Sequence, residues 1–248
     1  MGQHIIHPIA TVRGPSPKTN ITYRVGPGQM VDTASYTWYI EGPKEKIVVD
    51  TADVAEELAA RGLGGKTDLQ SPEDGLGKFG LKPSDIDIVI ITHLHGDHIA
   101  LAHKFTKAKF IVQRRELAEA LCPHPIGAPS YRPFNKPFKP YEDLNYEVIE
   151  GDKEIVEGVK ALLTPGHTPG TQSIAVETAK GLAVIVGSCT IMENFYPTEA
   201  VRAKWPLIVP GILYNAVEAY DSMVRIKEMA KIIVPNHATD FVDRETIP

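Results

Sequence analysis

The sequence predicts an α/β protein folded as one domain, and three observations carry that prediction. Short Val- and Ile-rich runs recur between clusters of Gly, Pro, Asn and Asp, the pattern of strands separated by turns. Helical patterns lie among these runs, so the chain reads as a β-rich half, a helix and a second β-rich half. No boundary, repeat or low-complexity tract divides the 248 residues. A chain of that length is often a single α/β unit.

Taken in order, residues 5–12 and 20–25 read as strands on either side of the turn-rich Arg13-Gly14-Pro15-Ser16-Pro17-Lys18. Residues 35–41 form a third strand, with Tyr36, Trp38 and Ile40 on one face because side chains alternate. Gly42-Pro43-Lys44-Glu45 makes a hairpin turn into a buried strand over 46–51. Residues 53–61 and 74–79 carry short helical patterns, with the Gly62-Leu63-Gly64-Gly65 break and a loop between them. Residues 88–91 are an unbroken β-branched run, as a strand covered on both faces requires. Residues 100–105 read as helix, 109–112 as strand, and 114–121 as a helix with Glu116 and Glu119 on its polar face.

Further on, residues 146–149 and 154–156 are expected to pair around Glu150-Gly151-Asp152. Strands follow at 159–163, 173–177 and 182–186, the last two joined by Thr178-Ala179-Lys180-Gly181. Residues 205–214 are apolar and punctuated by proline, which suits a pocket wall. Residues 216–231 form an amphipathic helix with Val217, Tyr220, Val224 and Met229 inward. Ile232-Ile233-Val234-Pro235-Asn236-His237 is a closing strand and turn.

The chemistry concentrates where the 88–91 run ends in Thr92-His93-Leu94-His95-Gly96-Asp97-His98. The chain has nine histidines, and three of them fall within six positions here, with an aspartate among them. In an extended segment residues two apart point to the same side, so His93 and His95 can reach one metal ion. Gly96 allows a tight turn, after which Asp97 and His98 can face a second ion beside the first. Imidazole and carboxylate are ligands of zinc and iron.

His93-x-His95-x-Asp97-His98 resembles the signature of the metallo-β-lactamase-fold hydrolases. The resemblance covers nearly the whole chain and points to the N-acyl homoserine lactonase-like branch. It implies a four-layer αβ/βα sandwich with mostly antiparallel sheets and a site at the sheet edges. Thr164-Pro165-Gly166-His167-Thr168-Pro169-Gly170 is similar to the family's segment almost letter for letter, which implies that His167 joins His93 and His95 on one ion. The family's histidine after the last strand implies that His237 joins Asp97 and His98 on a second ion. Asp50-Thr51-Ala52 resembles the family's Asp-Thr-Gly with Ala for Gly. Asp50 itself reads as a turn former or helix cap, with a supporting role beside the site as the alternative.

The sequence also departs from the family. Most relatives have an Asp that bridges both metals near Gly187-Ser188-Cys189-Thr190, and none is present here. Cys189 is the expected substitute, since a thiolate binds zinc or iron and can bridge. The alternatives are a small buried cysteine, or Ser188 holding the place with water. Glu193-Asn194-Phe195 resembles the acyl-homoserine lactonases, but their tyrosine shortly before it is replaced by Thr190. Tyr196 offers a phenol from another direction, with plain packing as the alternative.

The resemblance and the ligand set together imply a hydrolase that uses two divalent metal ions. Zinc is expected, with iron and manganese as alternatives. Bound metal lowers the pKa of water from about 15.7 toward 7, which gives hydroxide at neutral pH. Asp97 is the expected catalytic residue, holding metal and relaying a proton to the leaving group. The substrate is expected to be a small molecule, a lactone or related ester. A thioesterase of glyoxalase-II type, a single-iron sulfur dioxygenase and a catalytically silent metal-binding protein are the competing readings.

Composition excludes other classes. A net charge of −5 and a pI near 6.0 give no basic surplus for nucleic acid. Nothing approaches the ~18 apolar residues of a membrane span. No signal peptide is visible at Met1-Gly2-Gln3-His4, and two cysteines are too few for a disulfide framework, so a cytoplasmic location is expected. Residues 123–140 hold six prolines with Tyr131, Phe134 and Phe138. A loop of this length is expected to cap the site or to form a homodimer contact. Cys122 and His124 at its base read as structural.

Overall fold

The computed structural model describes residues 4–131 and 139–248. Its strands form two sheets. The first contains β1 (Ile5–Pro17), β2 (Met30–Glu41), β3 (Ile47–Val49), β4 (Thr67–Asp68), β5 (Ile88–Ile90), β6 (Lys109–Gln113) and β7 (Tyr146–Ile149), in the order β4-β1-β2-β3-β5-β6-β7. The second contains β8 (Lys153–Val156), β9 (Val159–Leu163), β10 (Gln172–Thr178), β11 (Gly181–Val186) and β12 (Ile232–Pro235), in the order β12-β11-β10-β9-β8. The hairpin expected at 42–45 joins β2 to β3. Strands β3, β5, β6 and β7 run parallel, as does the pair β11 and β12, and the other pairings are antiparallel.

Strand alternation builds the layers. Along β3, Ile47 and Val49 face the core between the sheets while Val48 faces outward under helices. Along β5 and β6, Ile90 and Ile111 face in, and Val89, Phe110 and Val112 face out. In the second sheet Ile174, Val176, Ala183 and Ile185 face in, and Ala175, Val184 and Val186 face the helix Ala216–Met229. Both faces of each sheet are therefore apolar, and three cores separate four layers. Trp38, fully buried between the sheets, donates its indole N–H to Asn236 Oδ1 at 2.8 Å. That bond ties β2 to the turn after β12, which carries part of the site.

Four expectations need correction. The strand expected over 20–25 is absent, because Lys18–Ile21 forms a helical turn that Thr22 closes on Lys18 O and Val25 O. The helix expected at 100–105 is instead the short helix Gly96–Ile99 and a 3₁₀ turn at Ala102–Lys104. β7 and β8 do not pair: β7 joins β6 and β8 joins β9. Gln113 holds Gly151 through both its backbone groups, and Asp152 accepts from Leu163 N and pairs with Arg225, so this turn crosses between the sheets.

The fourth correction concerns the inward face of Ala216–Met229. Asn215 caps its start by accepting from Val217 N and Glu218 N. Its buried stripe is Ala219, Met223 and Ile226, spaced four and three apart. Val217 is 69% exposed and Met229 lies at the edge, while Tyr220 and Val224 pack at the flank. The stripe is rotated from the expected face because the small Ala219, 4% exposed, lets the helix pack closely on the sheet.

Candidate metal centre

The connection after β5 and two turns from the second sheet bring six ligand-type side chains together. His93, His95 and His167 form one triad, and Asp97, His98 and His237 form another. Within each triad one donor atom per residue lies within 4.8 Å of the others. The five histidines are buried and the Asp97 side chain is 25% exposed. His95 starts the short helix Gly96–Ile99, which turns Asp97 and His98 back toward the site. His167 sits in the 164–170 turn, where Gly166 has φ +128°. A Cβ there would lie 2.3 Å from Ala219 N, so only glycine lets this turn rest against the helix Ala216–Met229. His237 follows β12, and its N–H donates to Thr190 O at 3.1 Å.

Each of four rings is oriented by a partner at its Nδ1. His167 donates to Ile212 O at 2.6 Å and His237 to Ala34 O at 3.1 Å. His98 donates to Asp50 Oδ2 at 2.7 Å. Thr92 Oγ1 gives its proton to Asp50 Oδ2 at 2.8 Å and so accepts from His93 Nδ1 at 3.1 Å. Metal-binding histidines are typically fixed in this way, with the other nitrogen free.

The freed nitrogens supply the test of fit. His93 Nε2 and His167 Nε2, both left with lone pairs, face each other at 3.1 Å. His95 Nε2 and His237 Nε2 are buried with no hydrogen-bond partner. Buried acceptors without partners are costly, and facing lone pairs repel. A cation in each triad relieves both problems, so the residues fit divalent metal. The donors suit zinc, iron or manganese.

Electrostatics separates the triads. Burial, reinforced by neighbouring imidazoles, holds His93 and His95 well below the usual histidine range. Burial also lowers His167 and His237 to about 4. These four rings are neutral at pH 7, the form that binds metal. His98 is different: burial lowers its pKa, but Asp97 and Asp50 outweigh that and raise it to about 10. Burial acts to raise Asp97, yet His98, His237 and Arg61 hold it well below the usual carboxylate range.

Both triads open into one cavity of about 250 Å³. Its wall includes Cys189, Lys66, Arg61, Ser16, Thr33 and Ile212. Cys189 belongs to neither triad, and burial together with Asp97 raises its thiol pKa. Gly187, two residues before Cys189, lies so close to Gln172 O that a Cβ would be 1.9 Å away. Arg61 pairs with Asp53 and fills the space beside Gly96, where a Cβ would lie 2.2 Å from its guanidinium. Ile212 bears out the wall expected from 205–214, although Trp205 is 46% exposed elsewhere.

From the proline-rich segment, Pro129 and Ser130 reach the cavity and the Tyr131 ring meets His95 edge-on at 4.7 Å. Residues 132–138 of that segment lie outside the described residues. Tyr196 is 56% exposed beneath Lys227 and is not part of the cavity wall. Cys122 and His124 are exposed and outside that wall.

Two carboxylates support the site, one as the alternative reading of its sequence allows and one against expectation. Asp50, expected as a turn former, does turn the chain at φ +58°, but it also binds Thr92 N, Thr92 Oγ1, His98 Nδ1 and Asn236 Nδ2. An acidic residue closing an apolar strand was the available signal. Ala52 adopts φ +57°, which explains why glycine suits that place in similar sequences. Glu116 is fully buried rather than on a polar face. It accepts from Leu94 N, Tyr131 OH, Thr168 Oγ1 and Gly170 N, which clamps both loops of the three-histidine triad.

The chain as a whole is similar to known proteins. Residues 30–237 match the family model described as the metallo-beta-lactamase superfamily. An N-acyl homoserine lactonase from Bacillus sp. is 30% identical over 222 residues, 85% of this chain and 82% of that protein. An N-acyl homoserine lactonase from Bacillus thuringiensis is 29% identical over 224 residues, 86% of this chain and 83% of that protein. The solved structure of an N-acyl homoserine lactone hydrolase, with N-hexanoyl-L-homoserine bound at its catalytic metal center, is similar with a TM-score of 0.78. That pair is 27% identical, with 100% of both chains covered.

Proposed function

The chain belongs to the metallo-beta-lactamase superfamily, as a hydrolase of the N-acyl homoserine lactonase-like branch, and from that premise we propose that it opens lactones or related esters with two divalent metal ions, zinc first. The observation that carries the proposal is the pair of triads converging on one cavity, with oriented rings and unpartnered nitrogens. His93, His95 and His167 would hold one ion, and Asp97, His98 and His237 the other. Cys189, in the same cavity wall, is the proposed further ligand. Its thiol would ionise as metal binds, which is how coordinating thiols behave. A complete second triad favours the two-ion hydrolase over a single-iron dioxygenase.

Metal bound in these triads would supply a water-derived nucleophile at neutral pH and polarise the ester carbonyl. The chain's own residues do the rest. The outer bonds from Ile212 O, Ala34 O and Asp50 fix the rings, so the ligands do not reorganise during reaction. Asp97 Oδ2 lies 3.4 Å from His98 Nε2 and 3.8 Å from His237 Nε2, with its side chain partly open to the cavity. It is therefore placed to carry a proton to the leaving alkoxide. His98, His237 and Arg61 hold the Asp97 carboxyl below the usual carboxylate range. Two free cysteines fit a reducing compartment such as the cytoplasm.

A pH-indicator assay on zinc-loaded protein tests the proposal with acyl-homoserine lactones, γ- and δ-lactones, thioesters and a β-lactam. Lactone turnover that disappears in His95→Ala is the expected result. Turnover of thioesters alone would replace the lactonase reading with a thioesterase, and no turnover of any of these would overturn hydrolysis as the activity.

A further inference from the structure

Among the described residues, Arg61 and Lys66 are the Arg and Lys side chains that line the cavity, and their surroundings differ. Arg61 is paired with the buried carboxylate of Asp53. Lys66 has no carboxylate within ion-pair distance among the described residues. Its Nζ donates to Thr33 Oγ1 at 2.8 Å, to Ser16 Oγ at 3.1 Å and to Gly14 O at 3.5 Å, all uncharged acceptors. Ser16 and Thr33 are themselves bonded at 2.9 Å, and both line the cavity with Lys66.

The backbone holds Lys66 in this place. Strand β4 begins at the next residue, and its Thr67 and Asp68 pair with Arg13 and Val12 of β1. Gly14 permits the close approach, since a Cβ there would lie 2.7 Å from Lys66 Cα. Lys66 stands on the side of the second triad, near enough to act on Asp97 and His237. Burial pulls its pKa below the ordinary lysine value, while Asp97 and Cys189 act in the opposite direction.

A half-buried ammonium bonded to two hydroxyls and, at 3.5 Å, to one carbonyl, with no carboxylate in ion-pair contact among the described residues, is an incomplete arrangement, because charge drawn from water is normally paired. Bound metal deepens the imbalance, since Asp97 is the only carboxylate in either triad. We propose that the substrate carries a carboxylate apart from its scissile ester, and that Lys66 is the residue that selects it. The hydroxyls of Ser16 and Thr33 hold the ammonium in place and leave it facing the cavity. A single ammonium with two hydroxyls suits a monoanion, whereas a phosphate dianion usually draws several donors or a bidentate arginine. The substrate class is thus a carboxylated lactone or ester. The inference rests on the hydrolase reading for its chemistry, though not for its binding.

The experiment compares 5-oxotetrahydrofuran-2-carboxylate with its carboxamide, on zinc-loaded wild type, Lys66→Met and Lys66→Arg. A charge-assisted hydrogen bond corresponds to a preference of about 10- to 100-fold for the carboxylate in kcat/KM. Lys66→Met is expected to remove that preference through KM, lowering the carboxamide rate far less, and Lys66→Arg is expected to restore much of it. Equal rates on the two lactones in wild type would overturn the inference. So would an equal fall on both in Lys66→Met, which marks a structural role or one at the reacting centre.

A binding arm separates failure of this inference from failure of the hydrolase reading. Calorimetry measures 2-hydroxyglutarate against its α-monoamide, which masks the carboxylate apart from the scissile ester, on the same three proteins, whether or not any lactone is turned over. Tighter binding of the diacid that is lost in Lys66→Met supports the carboxylate site even if hydrolysis fails. No difference between the two ligands in wild type overturns it even if neutral lactones are hydrolysed.

Discussion

His93, His95 and His167 are three imidazoles with no carboxylate among them, whereas Asp97, His98 and His237 include one and touch a second, Asp50. The first triad is neutral throughout, and its rings are pushed toward the unprotonated form by burial and by one another. In the second, Asp97 and Asp50 raise the His98 pKa against the effect of its burial. The supports differ as well. Glu116 grips the backbone around the first triad, from Leu94 to Gly170, without touching a ligand. Asp50 grips a ligand directly. One triad is thus shaped through its loops and the other through its charges. Removing each support should have correspondingly different consequences.

The largest effect is expected at Glu116. Glu116→Ala leaves Leu94 N, the Tyr131 and Thr168 hydroxyls and Gly170 N without their buried acceptor. Unfolding free energy should fall by about 3–5 kcal/mol, the range for breaking one side of a buried charged network. Denaturant unfolding measures this, and a loss under about 1 kcal/mol would show that the loops hold themselves.

Glu116→Gln isolates the charge. Burial raises the folded-state pKa of Glu116 above its unfolded value, more than its hydrogen-bond donors lower it. A carboxyl with a raised folded pKa favours the folded state at low pH and loses that advantage as pH rises through the folded value. Wild type should therefore lose stability relative to Glu116→Gln as pH is raised from about 4.5 through that range. The opposite slope would mean that the donors win over burial.

Asp50→Asn comes next in size and should act on the other triad. The amide keeps the shape but cannot accept from Thr92, His98 and Asn236 as a carboxylate does. Loss of such an outer partner typically weakens metal binding by about 10- to 100-fold. Chelator competition should show one ion released early and the other retained. Equal weakening of both would show that the link from Asp50 through Thr92 to His93 couples the triads.

The same contrast explains what could be read in the chain beforehand. Ligands were legible because metal chemistry needs particular side chains at particular spacings, and His93, His95, Asp97 and His98 lie within one turn. Strands such as β5 and β11 were legible because burial on both faces leaves an apolar run. Glu116 was not, since a helical wheel places any glutamate on the wet face unless the donors facing it are known. Those donors come from residues as far away as Thr168. The turn between β7 and β8 failed for a similar reason. Glu150-Gly151-Asp152 looks like a hairpin, but contacts from distant residues, Gln113 and Arg225 among them, hold it where its strands join different sheets. Lys66 looks like a loop lysine until β4 lays it along β1.

Cys189 should give the smallest of these effects, and it tests whether the triads share anything. It stands in the common wall, outside both, with a thiol that burial keeps protonated. If that thiol joins the ligand set when metal is bound, Cys189→Ser removes one ligand while the six others stay in place. A loss of about threefold to tenfold in retention of one ion is then expected, below that from Asp50→Asn. Fold stability should change by less than about 1 kcal/mol, because serine is nearly the same size. Metal content after dialysis against a weak chelator would fall from two ions toward one. Unchanged content would take Cys189 out of the centre, and the two triads would then stand as separate sites, with no protein ligand between them at this position.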